Sequence, residues 1–265
     1  MLGLMLSVVE HISSSEIPAP TLERAVGTGP VVLICDHATR FIPASLDTLG
    51  LSADLHDSHI VWDPGALDLA QRLSVRLDAP LIYPGVSRLV IDCNRVVDAA
   101  DSIVPVSENI SVPGNLDLPP DERARRKQAV YDPFHHTIDD LLETRREHGM
   151  TTALVAVHSF TPVFHGKPRP WQVGVIFEAG NRFGAAVCEE LAKDRDLCVG
   201  VNKPYSPGDG VYHTVSRHKD KYGLAGVMLE IRNDLLRNAG DLDWWADRLE
   251  HVLRNSLESV GSDPA

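Results

Sequence analysis

The sequence predicts an α/β domain: a mixed, mainly parallel sheet with helices packed on both of its faces. Three observations lead there. Apolar runs of strand length alternate along the chain with longer stretches of helical spacing. The runs are unbroken rather than alternating with polar residues, as in strands covered on both sides. Several of them end in ionisable groups, the pattern of a sheet whose strand carboxyl ends gather a ligand.

The elements follow in order. After a loose lead-in ending near Thr28, Val31 to Cys35 is a five-residue apolar run that reads as a buried strand. From Ala66 to Leu77, apolar Leu67, Ala70, Leu73 and Leu77 fall at helical spacing, and Pro64 and Gly65 just before them favour a helix start. Ala79 to Tyr83 and Leu89 to Ile91 read as strands, whereas residues 96–118 carry Pro, Ser, Asn and Asp without periodicity and read as a long exposed loop. Pro120 to Glu147 is charged and helix-forming, bounded by Pro119 and Gly149. Then come a strand at Ala153 to Val157, another at Val173 to Phe177, a helix at Phe183 to Leu191 and a short strand at Leu197 to Val201. Gly226 to Ile231 is the last strand, and Asp241 to Leu257 a closing helix with Trp245, Leu249 and Val252 on one face. No repeat, low-complexity tract or linker divides the chain, so residues 1–265 read as one domain.

Composition excludes several classes. With 43% apolar and 23% charged residues the chain matches a soluble globular protein. The 37 acids against 25 bases give a formal charge of −12, without a basic block to follow a phosphate backbone, so no nucleic-acid partner is expected. No apolar run approaches the ~20 residues that cross a bilayer, and the start from Met1 to Val9 lacks the Lys or Arg of a signal peptide. Four cysteines without a CxxC pair read as free thiols, and the expected location is the cytoplasm.

The informative polar groups sit at strand ends. Asp36-His37 follows VVLIC, Asp92-Cys93-Asn94-Arg95 follows LVI, His158 follows ALVAV, and Glu230 and Arg232 belong to VMLEIR. In a parallel sheet these ends converge on one edge, where unpaired buried charge costs several kcal/mol unless a partner or metal is present. Either histidine alone is most simply a hydrogen-bonded structural residue. Two of them on separate strands, with carboxylates in the same layer, match a catalytic zinc site with about three protein ligands and one open position. His56, His59, His135, His136 and His148 read as solvent-facing, while His213 and His218 in VYHTVSRH stand evenly between substrate contact and structure. The chain has no GxSxG, GxxxxGK[ST], HExxH or strand-following GxGxxG motif.

The segments CDHATRFIP (35–43), WDPGALDLA (62–70), SRLVIDCNR (87–95), VAVHSF (155–160) and LEIRNDL (229–235) resemble the N-formylglutamate amidohydrolase family, in order, over about residues 30–255. The family is itself similar to the zinc carboxypeptidases and aspartoacylases, so the resemblance implies a zinc-carboxypeptidase-like fold and a Zn²⁺ cofactor. It makes His37 and His158 metal ligands, Asn94-Arg95 the substrate-clamping pair and Glu230 the catalytic glutamate. The carboxypeptidase relatives take a second ligand from HxxE, but the residue three beyond His37 is Arg40. The third ligand is expected from Asp63, with Asp36 the alternative.

The expected chemistry is hydrolysis of N-formylglutamate, as in histidine breakdown, or of a similar small anionic N-acyl amino acid. Glu230 would act as base, Arg95 would fork a substrate carboxylate with Asn94 beside it, and His218 would stabilise the oxyanion. Arg88, Arg217 and Arg232 add cations near these segments, with Arg232 equally read as a partner for an acid. Two readings compete: a deacylase or carboxypeptidase-like enzyme with another substrate, and a metal-free binding protein on the same fold.

Overall fold

The computed structural model describes residues 12–261. The reading of Met1 to Val9 therefore lies outside the described residues. Seven strands form one sheet: β1 (Thr21–Glu23), β2 (Val31–Ile34), β3 (Leu81–Tyr83), β4 (Ala153–Phe160), β5 (Val173–Ile176), β6 (Val199–Val201) and β7 (Ala225–Arg232), in the order β1-β3-β2-β4-β7-β5-β6. The central strands β3, β2, β4 and β7 are parallel, whereas β1 is antiparallel to β3 and the pair β5-β6 runs against β7. The sheet is thus mixed and mostly parallel, as its unbroken apolar runs predict.

Side chains alternate across each strand, so the two faces recruit different helices. Leu33, Val155, Val175 and Leu229 pack with Leu73, Val187 and Leu249 on one side; these come from α1 (Ala66–Leu77), α4 (Arg182–Ala192) and α6 (Ala239–Gly261). On the other, Ile34, Ala156, Ile176 and Met228 pack with Phe134, Ile138 and Val215. Those come from α3 (Asp132–Glu147), which continues from α2 (Pro120–Arg126), and from α5 (His213–Tyr222). His158 and Glu230 have the parity of this second face.

Four expectations change. Leu89 to Ile91 is a turn, not a strand: the Ser87 hydroxyl accepts from Leu89 N (3.1 Å) and donates to Val61 O (2.7 Å), and Val90 N bonds Ser87 O, which bends the backbone locally. The lead-in holds the edge strand β1. The helix expected at Pro120 to Glu147 contains a π turn at Lys127–Tyr131. The chain becomes helical at His213–Tyr222, a fact its pattern conceals because two of that helix's three buried positions, Thr214 and His218, are polar.

The segment 96–118 is a loop with a small hairpin, Val106–Ser107 paired with Ile110–Ser111, but it is not wholly exposed. Buried Asn115 donates to Leu89 O (2.8 Å) and Val104 O (2.9 Å) and accepts from Arg126 Nη1 (2.7 Å). Arg126, also buried, donates to Glu122 Oε1 at 2.9 Å and Val90 O at 3.1 Å. A buried guanidinium needs such partners for its donors, and these tie the loop to α2.

Candidate active site

Asp36 and His37 leave the carboxyl end of β2, and the His37 carbonyl accepts from Asp63 N at 3.0 Å just ahead of α1. That bond brings the Asp63 carboxylate under the sheet edge. Gly65 makes the turn into α1 possible: its φ is +79°, and a Cβ there would lie 2.6 Å from Leu236 Cβ. His158 lies inside β4, directly opposite Glu230 on β7 in the strand register. Four separate segments thus meet at one edge.

The contact is close. The His37 and His158 ring centroids are 4.8 Å apart, and Asp63 Oδ2 lies 3.3 Å from His37 Nδ1 and 2.8 Å from His158 Nδ1. These three buried side chains each offer a ligand atom, all within 4.8 Å of one another. The far ring nitrogens have their own carboxylates: His37 Nε2 lies 2.8 Å from Asp92 Oδ1, and His158 Nε2 lies 3.1 Å from Asp36 Oδ2. A proton held on each Nε2 leaves both Nδ1 lone pairs directed at the shared centre, the usual arrangement around a metal-ligating histidine. Of the two aspartates expected as third ligand, Asp63 is the one between the rings, and Asp36 stands behind His158.

Burial and charge set the electrostatics. Burial opposes ionisation of Asp63, yet His37 and His158 hold its carboxyl below the ordinary range. Asp92 is likewise held well below against its burial, by His37, Arg88 and Arg95. For His158, burial disfavours the cation, but the hydrogen-bonded Asp36 and Asp63 prevail and push it up to about 10. Glu230 goes the other way: burial pushes its carboxyl up to about 7, against the pull of His158. Its Oε2 is buried without a hydrogen-bond partner. An orphaned carboxylate oxygen beside a His-Asp-His trio fits a site built for a divalent cation and a water molecule.

The trio and Glu230 line a cavity of about 200 Å³ together with Arg88, Asn94, Arg95, Phe160 and Tyr205. Arg88 bonds Asp92 (2.8 Å) and approaches Asp63 (3.5 Å). Arg95 uses Nε for Asp101 (2.9 Å) and Nη1 for the Asn94 and Gly210 carbonyls, with no bond at Nη2 among the described residues. Asn94 bonds the Val211 carbonyl and, through Oδ1, accepts from Thr214 N at 3.0 Å.

Other expected site residues lie elsewhere. His218 is fully buried, its nitrogens 2.9 Å from His135 and 3.0 Å from Asp139, and burial lowers it to about 4. It does not line the cavity, so the expected oxyanion role is withdrawn. Arg232 pairs with Asp234 at 2.7 Å outside the cavity, as its alternative reading held. Arg217 donates to Tyr131. His135 is buried rather than solvent-facing, and His59 lines the cavity, 2.7 Å from Glu108. Asp92, singled out in the sequence as an acid after a strand-length run but given no role there, stands behind His37, whereas Tyr205, not foreseen, sits in a loop without a signal.

A mixed α/β sheet thus gathers buried His, Asp and Glu side chains of four segments at one edge. The family model for N-formylglutamate amidohydrolase matches residues 29–237. The chain belongs to that family and is an amidohydrolase by it. A solved gene product of Agrobacterium tumefaciens is similar at 40% identity, covering 95% of this chain and 99% of that one, with a TM-score of 0.91. N-formylglutamate amidohydrolase from Ralstonia eutropha shares the fold at 19% identity and a TM-score of 0.62, over 91% of this chain and 98% of its own. No curated protein matches the chain.

Proposed function

We propose that the protein is a zinc-dependent amidohydrolase that cleaves N-formylglutamate or a similar small N-acyl amino acid, in the setting of histidine breakdown. One observation carries the reading: three buried ligand atoms converge within 4.8 Å beside a buried carboxylate with an unbonded oxygen. His37, Asp63 and His158 would hold the cation. Bound there, it would lower the pKa of a water towards about 7 and polarise the amide carbonyl.

The chain's own residues do the rest. Glu230, raised to about 7, takes the water's proton and returns it to the leaving amine, a role that favours a pKa near the working pH. Arg95 presents Nη2 to the substrate carboxylate, its other donors fixed so that little freedom is lost on binding. Asn94, held by two backbone groups, keeps Arg95 in place. Phe160 and Phe164 exclude water from the cavity wall.

The cavity size favours a small substrate over a peptide, since about 200 Å³ falls below the ~300–1,000 Å³ of drug-sized pockets. Four unpaired cysteines support a reducing compartment, the cytoplasm. No described helix is long and apolar enough to cross a membrane. The test is zinc content per chain, measured with hydrolysis of a panel of N-formyl and N-acetyl amino acids before and after chelation. Zinc at one per chain with chelator-sensitive release of formate supports the proposal. Protein that binds no divalent ion, or zinc-loaded protein inert on the whole panel, refutes it.

A further inference from the structure

With His218 outside the cavity, no residue named so far donates a proton or hydrogen bond to the oxygen that gains charge when the amide carbonyl becomes tetrahedral. Tyr205 carries such a donor. It lines the cavity with Glu230, and the packing that places it there is visible. On the sheet, Gly174 of β5 lies opposite Glu230. A Cβ on Gly174 would come within 2.0 Å of Lys203 O and 3.3 Å of Glu230 Cβ. The missing side chain therefore lets the Lys203 backbone press against the sheet beside Glu230, and Tyr205 follows two residues on.

The phenol is also prepared electrically. Its oxygen accepts from Arg169 Nη1 at 3.1 Å, and among the described contacts its own proton has no acceptor. Arg169 is only 9% exposed and, among the described residues, has no carboxylate partner. It lies 4.3 Å from the Phe164 ring centroid, 4.9 Å from that of Tyr205 and 5.7 Å from that of Phe160. A cation held by ring faces and the phenol oxygen, with no carboxylate bonded to it among the described residues, directs its field at that oxygen. That field makes the phenol a stronger donor and opposes the effect of burial and Glu230, which hold its proton on.

We infer that Tyr205 is a catalytic residue that donates a hydrogen bond to the developing oxyanion, with Arg169 as its positioning residue. The phenol keeps its proton throughout; no bond to it is broken. The inference rests on the amidohydrolase reading above. The experiment compares wild type, Tyr205→Phe and Arg169→Lys, each zinc-loaded, on the best N-formyl amino acid of the panel. Tyr205→Phe should retain zinc and lose about 10²–10³-fold in kcat with KM changed by less than about threefold. It should weaken binding of a phosphinate that mimics the tetrahedral species by a comparable factor, while affinity for a planar, non-hydrolysable substrate analogue stays the same. Arg169→Lys, which keeps charge but loses the planar fork, should fall between. Turnover in Tyr205→Phe within about threefold of wild type, or a loss confined to KM, overturns the inference and leaves the amidohydrolase reading intact. Wild type that hydrolyses nothing on the panel removes both.

Discussion

Glu230 is caught between stability and function. Burial raises its carboxyl from 4.5 to about 7, so the folded protein binds this proton more tightly than the unfolded chain does. Its contribution to stability in the metal-free protein therefore falls as pH rises from about 4.5 through about 7. Glu230→Gln removes that dependence, and metal-free Glu230→Gln is expected to melt above wild type at pH 8, as scanning calorimetry would show. The same variant should keep its zinc and lose about 10²–10⁴-fold in turnover; unchanged turnover would remove Glu230 from the chemistry. His158 runs in the same direction at higher pH. Raised from 6.5 to about 10, its charge contributes stability that is complete below 6.5 and lost as pH climbs through 10. Zinc must displace that proton. Titration calorimetry in two buffers of different ionisation enthalpy should register proton release on zinc binding at pH 7, and His158→Ala should lose zinc altogether. At this scale the sequence was readable where chemistry follows a strand-length apolar run, as at His37, His158 and Glu230, whereas Asp63, in the turn before α1, was expected only through the family resemblance. The sequence was silent on Tyr205, whose position depends on a backbone contact across Gly174 that no local pattern encodes.

Helix α5 shows how an element connects to the site. Its second residue, buried Thr214, donates through its hydroxyl to Asp36 Oδ1 (2.6 Å) and through its backbone N to Asn94 Oδ1 (3.0 Å). One turn of helix thus supports both the carboxylate behind His158 and the amide beside Arg95. Thr214→Val leaves a buried carboxylate oxygen without its donor and should weaken zinc affinity about 10–100-fold, with Thr214→Ser close to wild type. Competition with a chromophoric chelator measures this; equal affinity in Thr214→Val would show that α5 only packs. The helix itself was hidden in the sequence for the same reason that it matters: its inward face is built from Thr214 and His218, so no apolar stripe marks it. By contrast α1, whose inward face is Leu69, Ala70, Leu73 and Leu77, was legible to its first and last residues.

For the whole molecule, the sheet's direction decides where charge accumulates. Parallel β2, β4 and β7 send Asp36, His37, His158 and Glu230 to one edge, and Asp63 and Asp92 join them there. The metal-free fold therefore carries several buried ionisable groups in one layer, against which the apolar packing of both faces must hold. Zinc at about 100 times its Kd should add about 2.7 kcal/mol and raise Tm by several degrees. Differential scanning with and without chelator checks this, and coincident melting curves would count against a metal site. The alternation of elements made this architecture legible from sequence, whereas the reversal of β5 and β6 was not, because their apolar runs look the same in either direction.

The bonds of Asn115 to Leu89, Val104 and Arg126 have a kinetic consequence. The loop contributes Ser107 and Glu108 to the cavity wall, and a wall fastened at its base by a buried guanidinium is expected not to swing on the millisecond timescale of a gating lid. Substrates should enter and products leave by diffusion through a standing opening, so selection falls on shape at the moment of encounter. Turnover should then show no lag on mixing and little sensitivity to solvent viscosity.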